Sequence, residues 1–116
     1  MHNFQKLIFW QKSMDLAKDV YLLCQKLPSD EKFGLVSQMK RCAISIPSNI
    51  SEGVGRNGNK EFNHFLGISI GSSCELQTQL ILSEKLGLVE NQSIEELLAS
   101  VNEIQKMIFT FMKTLN

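Results

Sequence analysis

Proline is scarce: Pro28 and Pro47 are the only two in 116 residues, so most of the chain carries no backbone breaker. No apolar run approaches the ~20 residues that a membrane-spanning helix requires. Net charge is zero, with 12 Lys+Arg against 12 Asp+Glu, which argues against a uniformly basic nucleic-acid binder. Cysteine is limited to Cys24, Cys42 and Cys74, an odd number with no C-x-x-C pair. That pattern fits buried thiols in a reducing cytoplasm better than disulfides or a zinc site. The opening MHNFQKLIFWQKSMD has neither a long apolar core nor a small-residue cleavage site, so no secretory signal is read and a cytoplasmic protein is expected. What remains is an ordinary globular composition, 43% hydrophobic and 21% charged, sufficient for one domain over 1–116 with a modest core.

Hairpin signals between alternating apolar runs are missing too, and the apolar residues recur at helical spacing instead. Segment one, about Leu7 to Leu27, carries Leu7, Trp10, Met14, Ala17, Tyr21 and Cys24 on one stripe. A second stripe beside it holds Leu16, Val20, Leu23 and Leu27, and Pro28 ends the segment. Segment two, about Glu31 to Glu52, places Leu35, Met39, Cys42, Ile46 and Ile50 on one face; segment three, about Asn59 to Leu86, stops at Gly87. Segment four has the most regular seam, Ile94, Leu97, Val101, Ile104, Ile108, Phe111 and Leu115, with Ser93 as N-cap and Glu96 completing a capping box. The spacing predicts an all-α fold, an up-down-up-down antiparallel four-helix bundle about 30–40 Å long. Segment one has more apolar surface than one core-facing stripe needs. Leu7, Trp10 and Tyr21 are therefore candidates for burial between subunits.

Gly53, Gly55 and Gly58 form a G-x-G-x-x-G, the spacing of a dinucleotide-binding loop. That loop works only between a buried parallel strand and a helix, and no strand precedes Gly53. A helix joint is the better reading. Gly53 or Gly55 would take a left-handed conformation to end helix two, and Gly58 would open helix three with Glu61 in its first turn. A phosphate on the amides beside Arg56 and Lys60 stays open as an alternative. Pro47 should bend helix two, with Asn49, Glu52, Arg56 and Glu75 supplying a polar network. Ser45, Ser48 and Ser51 stand ready to bond the carbonyls that it frees.

Other chemistry is thin. Glu61 and His64 make one E-x-x-H, whereas a di-iron bundle needs two such pairs and two further glutamates. No serine has an identifiable base and orienter. No catalytic residue, metal or cofactor is therefore assigned. Glu75 reads as an ion-pair partner of Arg41 or Lys40, and Gly67, Gly71, Ser72, Ser73 and Cys74 as a slim helix face for close packing. Charge is unevenly spread: residues 1–60 hold nine Lys/Arg and five Asp/Glu, and residues 61–116 hold three and seven. Lys12, Lys40, Arg41, Arg56 and Lys60 are the candidate nucleic-acid contacts, repeated if subunits form a ring.

The runs LIFWQKSMDL, FGLVSQMKRCAISIPSNISEGVGR and KEFNHFLGISIGSSCELQTQL resemble, in order and spacing, the bacterial four-helix-bundle family named for the 23S rRNA intervening-sequence protein. The most specific part runs from Gln38 through Arg56. The resemblance implies a barrel-like homopentamer, a bacterial cytoplasmic origin and no known enzymatic activity. The family is similar to accessory proteins of diversity-generating retroelements, strongly basic pentamers that bind nucleic acid and a reverse transcriptase. The zero net charge departs from those relatives. The expected function is thus a non-enzymatic oligomeric scaffold or adaptor with an RNA-binding surface. The alternatives are a protein-interaction module without nucleic-acid affinity and a small metal-dependent enzyme.

Overall fold

Each apolar periodicity becomes one helix. The computed structural model describes residues 2–115, in which α1 spans Ile8–Cys24, α2 Ser37–Gly55, α3 Asn59–Lys85 and α4 Asn91–Met112. The described residues contain no strand. Neighbours pack in the order α1–α2–α3–α4 and back to α1, so the helices run up, down, up and down around one core. The bundle measures 43 × 23 × 20 Å.

One seam per helix fills the centre. On α1 it is Leu16, Val20 and Leu23, the second of the two stripes, while Met14 and Tyr21 of the first stay exposed. Met39, Ile46 and Ile50 of α2, Leu66, Leu76 and Leu80 of α3, and Ile94, Val101, Ile104 and Ile108 of α4 complete it. Burying each such side chain stabilises the fold by about 1.5–3 kcal/mol relative to leaving it in water.

Helices α2 and α3 make the most extensive pair, and small or hydroxyl side chains allow it. An added Cβ on Gly53 would stand 2.9 Å from both Phe62 Cδ1 and Phe65 Cβ, so this glycine sets how near the two backbones come. The buried Ser69 hydroxyl donates to the Ile46 carbonyl at 2.9 Å, and the Ser45 and Ser72 hydroxyls meet at 2.8 Å. Pro47 sits buried inside an uninterrupted α2. Ser69 reaches Ile46, Asn49 donates to the Ser45 carbonyl at 2.8 Å, and Ser51 donates to the Ser48 carbonyl at 3.0 Å. These side chains bond carbonyls near the proline; none bonds that of Ala43, whose helical donor the ring removes.

The helix ends correct several sequence expectations. The left-handed residue after α2 is Asn57, at φ 57°, while Gly53 and Gly55 are both helical. Asparagine tolerates that conformation because its short polar side chain bonds locally. Helix α2 begins only at Ser37, because the backbone kinks at Gly34, whose φ −107° and ψ −109° are not helical. Gly87, at φ 71°, ends α3: its amide donates to Glu84 and the Leu88 amide to Ser83, the paired bonds of a Schellman motif. Helix α4 starts earlier than the Ser93–Glu96 capping box predicts. Glu90 takes the extended cap conformation and Asn91 donates to Glu84, which fixes the first turn three residues upstream. Gly67 and Gly71 face open space instead of a neighbouring helix, and Cys74 is exposed, unlike Cys24 and Cys42.

Candidate functional site

The joint between α2 and α3 gathers the densest polar chemistry. Arg56 caps α2, pairs with Glu52 at 3.1 Å and Glu61 at 3.8 Å, and lies 5.1 Å from the centre of the Phe65 ring. Gly58 is extended and leaves the α3 N-terminus without a side-chain cap. Arg56, Lys60, Glu61, His64 and Phe65 line an open depression of about 460 Å³. Its charges nearly cancel, because two carboxylates face the guanidinium that a phosphate would need.

The predicted basic residues do not share one surface. Lys12 turns toward α4 and pairs with Glu103 at 2.8 Å. Lys40 leans on α1, with its ammonium 4.8 Å from the Tyr21 ring centre, and Arg41 is exposed on the next position of α2. Arg56 lies fifteen residues beyond Arg41, roughly 22 Å along a helix. The structure thus brings Arg56 to Lys60 and Lys40 to Arg41, and it separates Lys12 from both pairs.

The predicted polar network also divides. Glu52 and Arg56 join, as above, but Asn49 bonds Ser45 and lies outside their ion pair. Glu75 accepts from Cys42 Sγ at 3.8 Å and has no ion pair with Lys40 or Arg41 among the described residues. Burial raises the Cys42 thiol above its ordinary value, with the Glu75 charge adding to the rise against a bond from Gln79; burial likewise raises Cys24, against the pull of Lys40. His64 rests edge-on against Phe65 at 5.4 Å, and among the described residues no three His, Cys, Asp or Glu side chains gather as metal ligands.

Apolar surface is the more unusual feature. Leu7 and Trp10 are partly buried against their own core, and Phe4 packs edge-on to Trp10 at 5.3 Å. Of the three predicted interface residues, only Tyr21 is exposed. Met14 on α1, Ile44 on α2 and Ile68 on α3 are exposed as well, with the open Gly67 and Gly71 beside Ile68 on α3. Ile44 and Ile68 interrupt no helical pattern, so a single-stripe reading of each helix passes over them. Phe33 is 88% exposed beside the kink at Gly34, which the helical periodicity of segment two did not announce.

The fold and these surfaces define a helical-bundle protein with large apolar side chains exposed on its outside. The sequence model of the 23S rRNA-intervening sequence protein family matches residues 5–110, and the chain belongs to that family. Among solved structures it is similar to a protein of unknown function from the S23 ribosomal protein family of Bacteroides thetaiotaomicron. The two share 24% identity at a TM-score of 0.84, over 90% of this chain and 98% of the other, a likeness of fold. No curated protein matches the chain. Neither description names an enzymatic activity. No helix among the described residues is long and apolar enough to cross a membrane.

Proposed function

We propose that the chain is a non-catalytic scaffold subunit that assembles with copies of itself in the cytoplasm, as a pentamer if the family resemblance carries over. The observation behind this reading is the exposure of large apolar side chains on three helices, Met14 and Tyr21 on α1, Ile44 on α2 and Ile68 on α3, the last beside glycines with empty space above them. Water on such side chains costs free energy that burial against a second copy would recover. Gly67 and Gly71 leave room for close approach by another helix, although each weakens α3 by about 1 kcal/mol. Substituting Ile44 and Ile68 with Glu should leave the monomer folded, since both point outward, and should shift sedimentation toward 13.2 kDa. Unchanged sedimentation would remove this face from the assembly.

A second reading, RNA binding, draws on the family's name and on the exposed Arg41 and Lys60. Its test is an affinity for RNA at ~50 mM salt that falls steeply as salt rises, because cations bound to phosphate release counterions. Replacing Lys40, Arg41 and Arg56 with Glu should then abolish binding. No affinity at low salt would leave a protein-interaction scaffold. Stoichiometric iron or manganese in purified protein would favour the metal-enzyme alternative instead.

A further inference from the structure

The seam between α1 and α4 opens into a depression of about 400 Å³ at the end of the bundle where α1 begins and α4 finishes. Phe9, Lys106, Met107, Thr110, Phe111 and Thr114 line it. Its floor is aromatic: Phe9 is buried, and its ring meets that of Phe111 edge-on at 5.2 Å. Charge here has one sign. Lys106 is the only charged residue in the lining, and it makes no ion pair among the described residues. The nearest upstream carboxylate on α4, Glu103, is taken up by Lys12 at 2.8 Å. Residues 104–115 contain Lys106 and Lys113, two turns apart on one side of the helix, and neither Asp nor Glu.

We propose that this depression binds a small monocarboxylate with an apolar body, the class to which octanoate belongs. The alkyl body lies on Phe9, Met107 and Phe111. The carboxylate meets the Lys106 ammonium, and the Thr110 hydroxyl, one turn along the same face, supplies a second donor. Size and lining suit such a ligand, since small-molecule sites measure about 300–1,000 Å³ and are mostly apolar with a few polar groups. Charge selects the head group. One ammonium balances one negative charge, whereas a phosphate monoester carries nearly two at pH 7 and a cation would be repelled. Other depressions on the molecule lack this match: Glu61 stands beside Arg56 and Lys60 at the α2–α3 joint, and Asp19 and Glu96 line the hollow next to Leu22. The site is built from α1 and α4 alone, so it does not depend on the self-association reading, which draws also on Ile44 of α2 and Ile68 of α3.

Isothermal titration calorimetry of the full chain with hexanoate, octanoate and octylammonium, each below its micelle-forming concentration, decides it. Octanoate should bind and should shift the amide NMR signals of Met107, Thr110 and Phe111. It should bind more tightly than octylammonium, and more tightly than hexanoate by up to about 4-fold for each methylene that leaves water. Lys106 is exposed, so Lys106→Glu should leave circular dichroism unaltered. That variant should bind octanoate about 5-fold or more weakly and reverse the preference, with octylammonium now the tighter ligand. A merely structural loss would weaken both ligands alike, and that result would overturn the proposal. So would the absence of octanoate binding, equal affinity of the unaltered chain for octanoate and octylammonium, or an unchanged preference in Lys106→Glu. None of these results bears on self-association, which sedimentation tests separately.

Discussion

Gly53→Ala is the sharpest test of how α2 and α3 are held. On helix propensity alone, alanine should stabilise a helical position by about 0.8–1 kcal/mol. Here the new methyl would lie 2.9 Å from Phe62 Cδ1 and Phe65 Cβ, closer than carbon atoms pack without displacement. Phe62 is 3% exposed and cannot swing aside into solvent, so the strain of an overfilled core, about 1–3 kcal/mol, should outweigh the gain. Gly55→Ala is the control, because its Cβ would meet nothing within 4 Å on the same helix. The two variants should differ by about 1–3 kcal/mol in urea unfolding, with Gly55→Ala the more stable. Thermal midpoints should separate by roughly 4 °C per kcal/mol, with protein concentration held constant because assembly shifts apparent stability. Equal stabilisation by both substitutions would refute the claim that Gly53 sets the helix separation.

Three further outcomes follow from named contacts. Gly87→Ala places a Cβ on a residue at φ 71° and should cost about 1–2 kcal/mol in chemical unfolding, whereas Gly71→Ala should not destabilise the isolated subunit. Ser69→Ala removes a fully buried donor from the Ile46 carbonyl and should cost about 1 kcal/mol, without changing the helix content seen by circular dichroism. Cys24 and Cys42 have folded pKa values above the ordinary 9.0, so the unfolded chain loses these protons first and stability should fall as pH rises past that value. Mass spectrometry after brief alkylation should accordingly find the exposed Cys74 modified ahead of the other two.

The helices were legible because α4 repeats its seam without a break and because Pro28 and Gly87 end their segments by simple backbone rules. Local cues failed where tertiary contact decides. Three glycines in a row of six residues invited a left-handed stop at Gly53 or Gly55, but packing on Phe62 and Phe65 uses Gly53 for proximity, and Asn57 makes the turn. Ser93 and Glu96 have the spacing of a cap, yet the Asn91–Glu84 bond and the extended Glu90 begin the helix sooner. Helix α1 offered two apolar stripes, and periodicity has no means of ranking them; the three surrounding helices choose Leu16, Val20 and Leu23. Candidate basic residues were readable as types, whereas their partners were not, since Lys12 meets Glu103 across ninety residues of sequence. A depression lined by Leu22 of α1 and Leu97 of α4 exists only once these helices are side by side, so no linear pattern announces it.

Sedimentation velocity on the purified chain across micromolar concentrations bears most directly on the central reading. Self-association predicts a discrete species whose mass is a whole multiple of 13.2 kDa, five-fold if the family resemblance extends to subunit number. A single 13.2 kDa species at every concentration would contradict it.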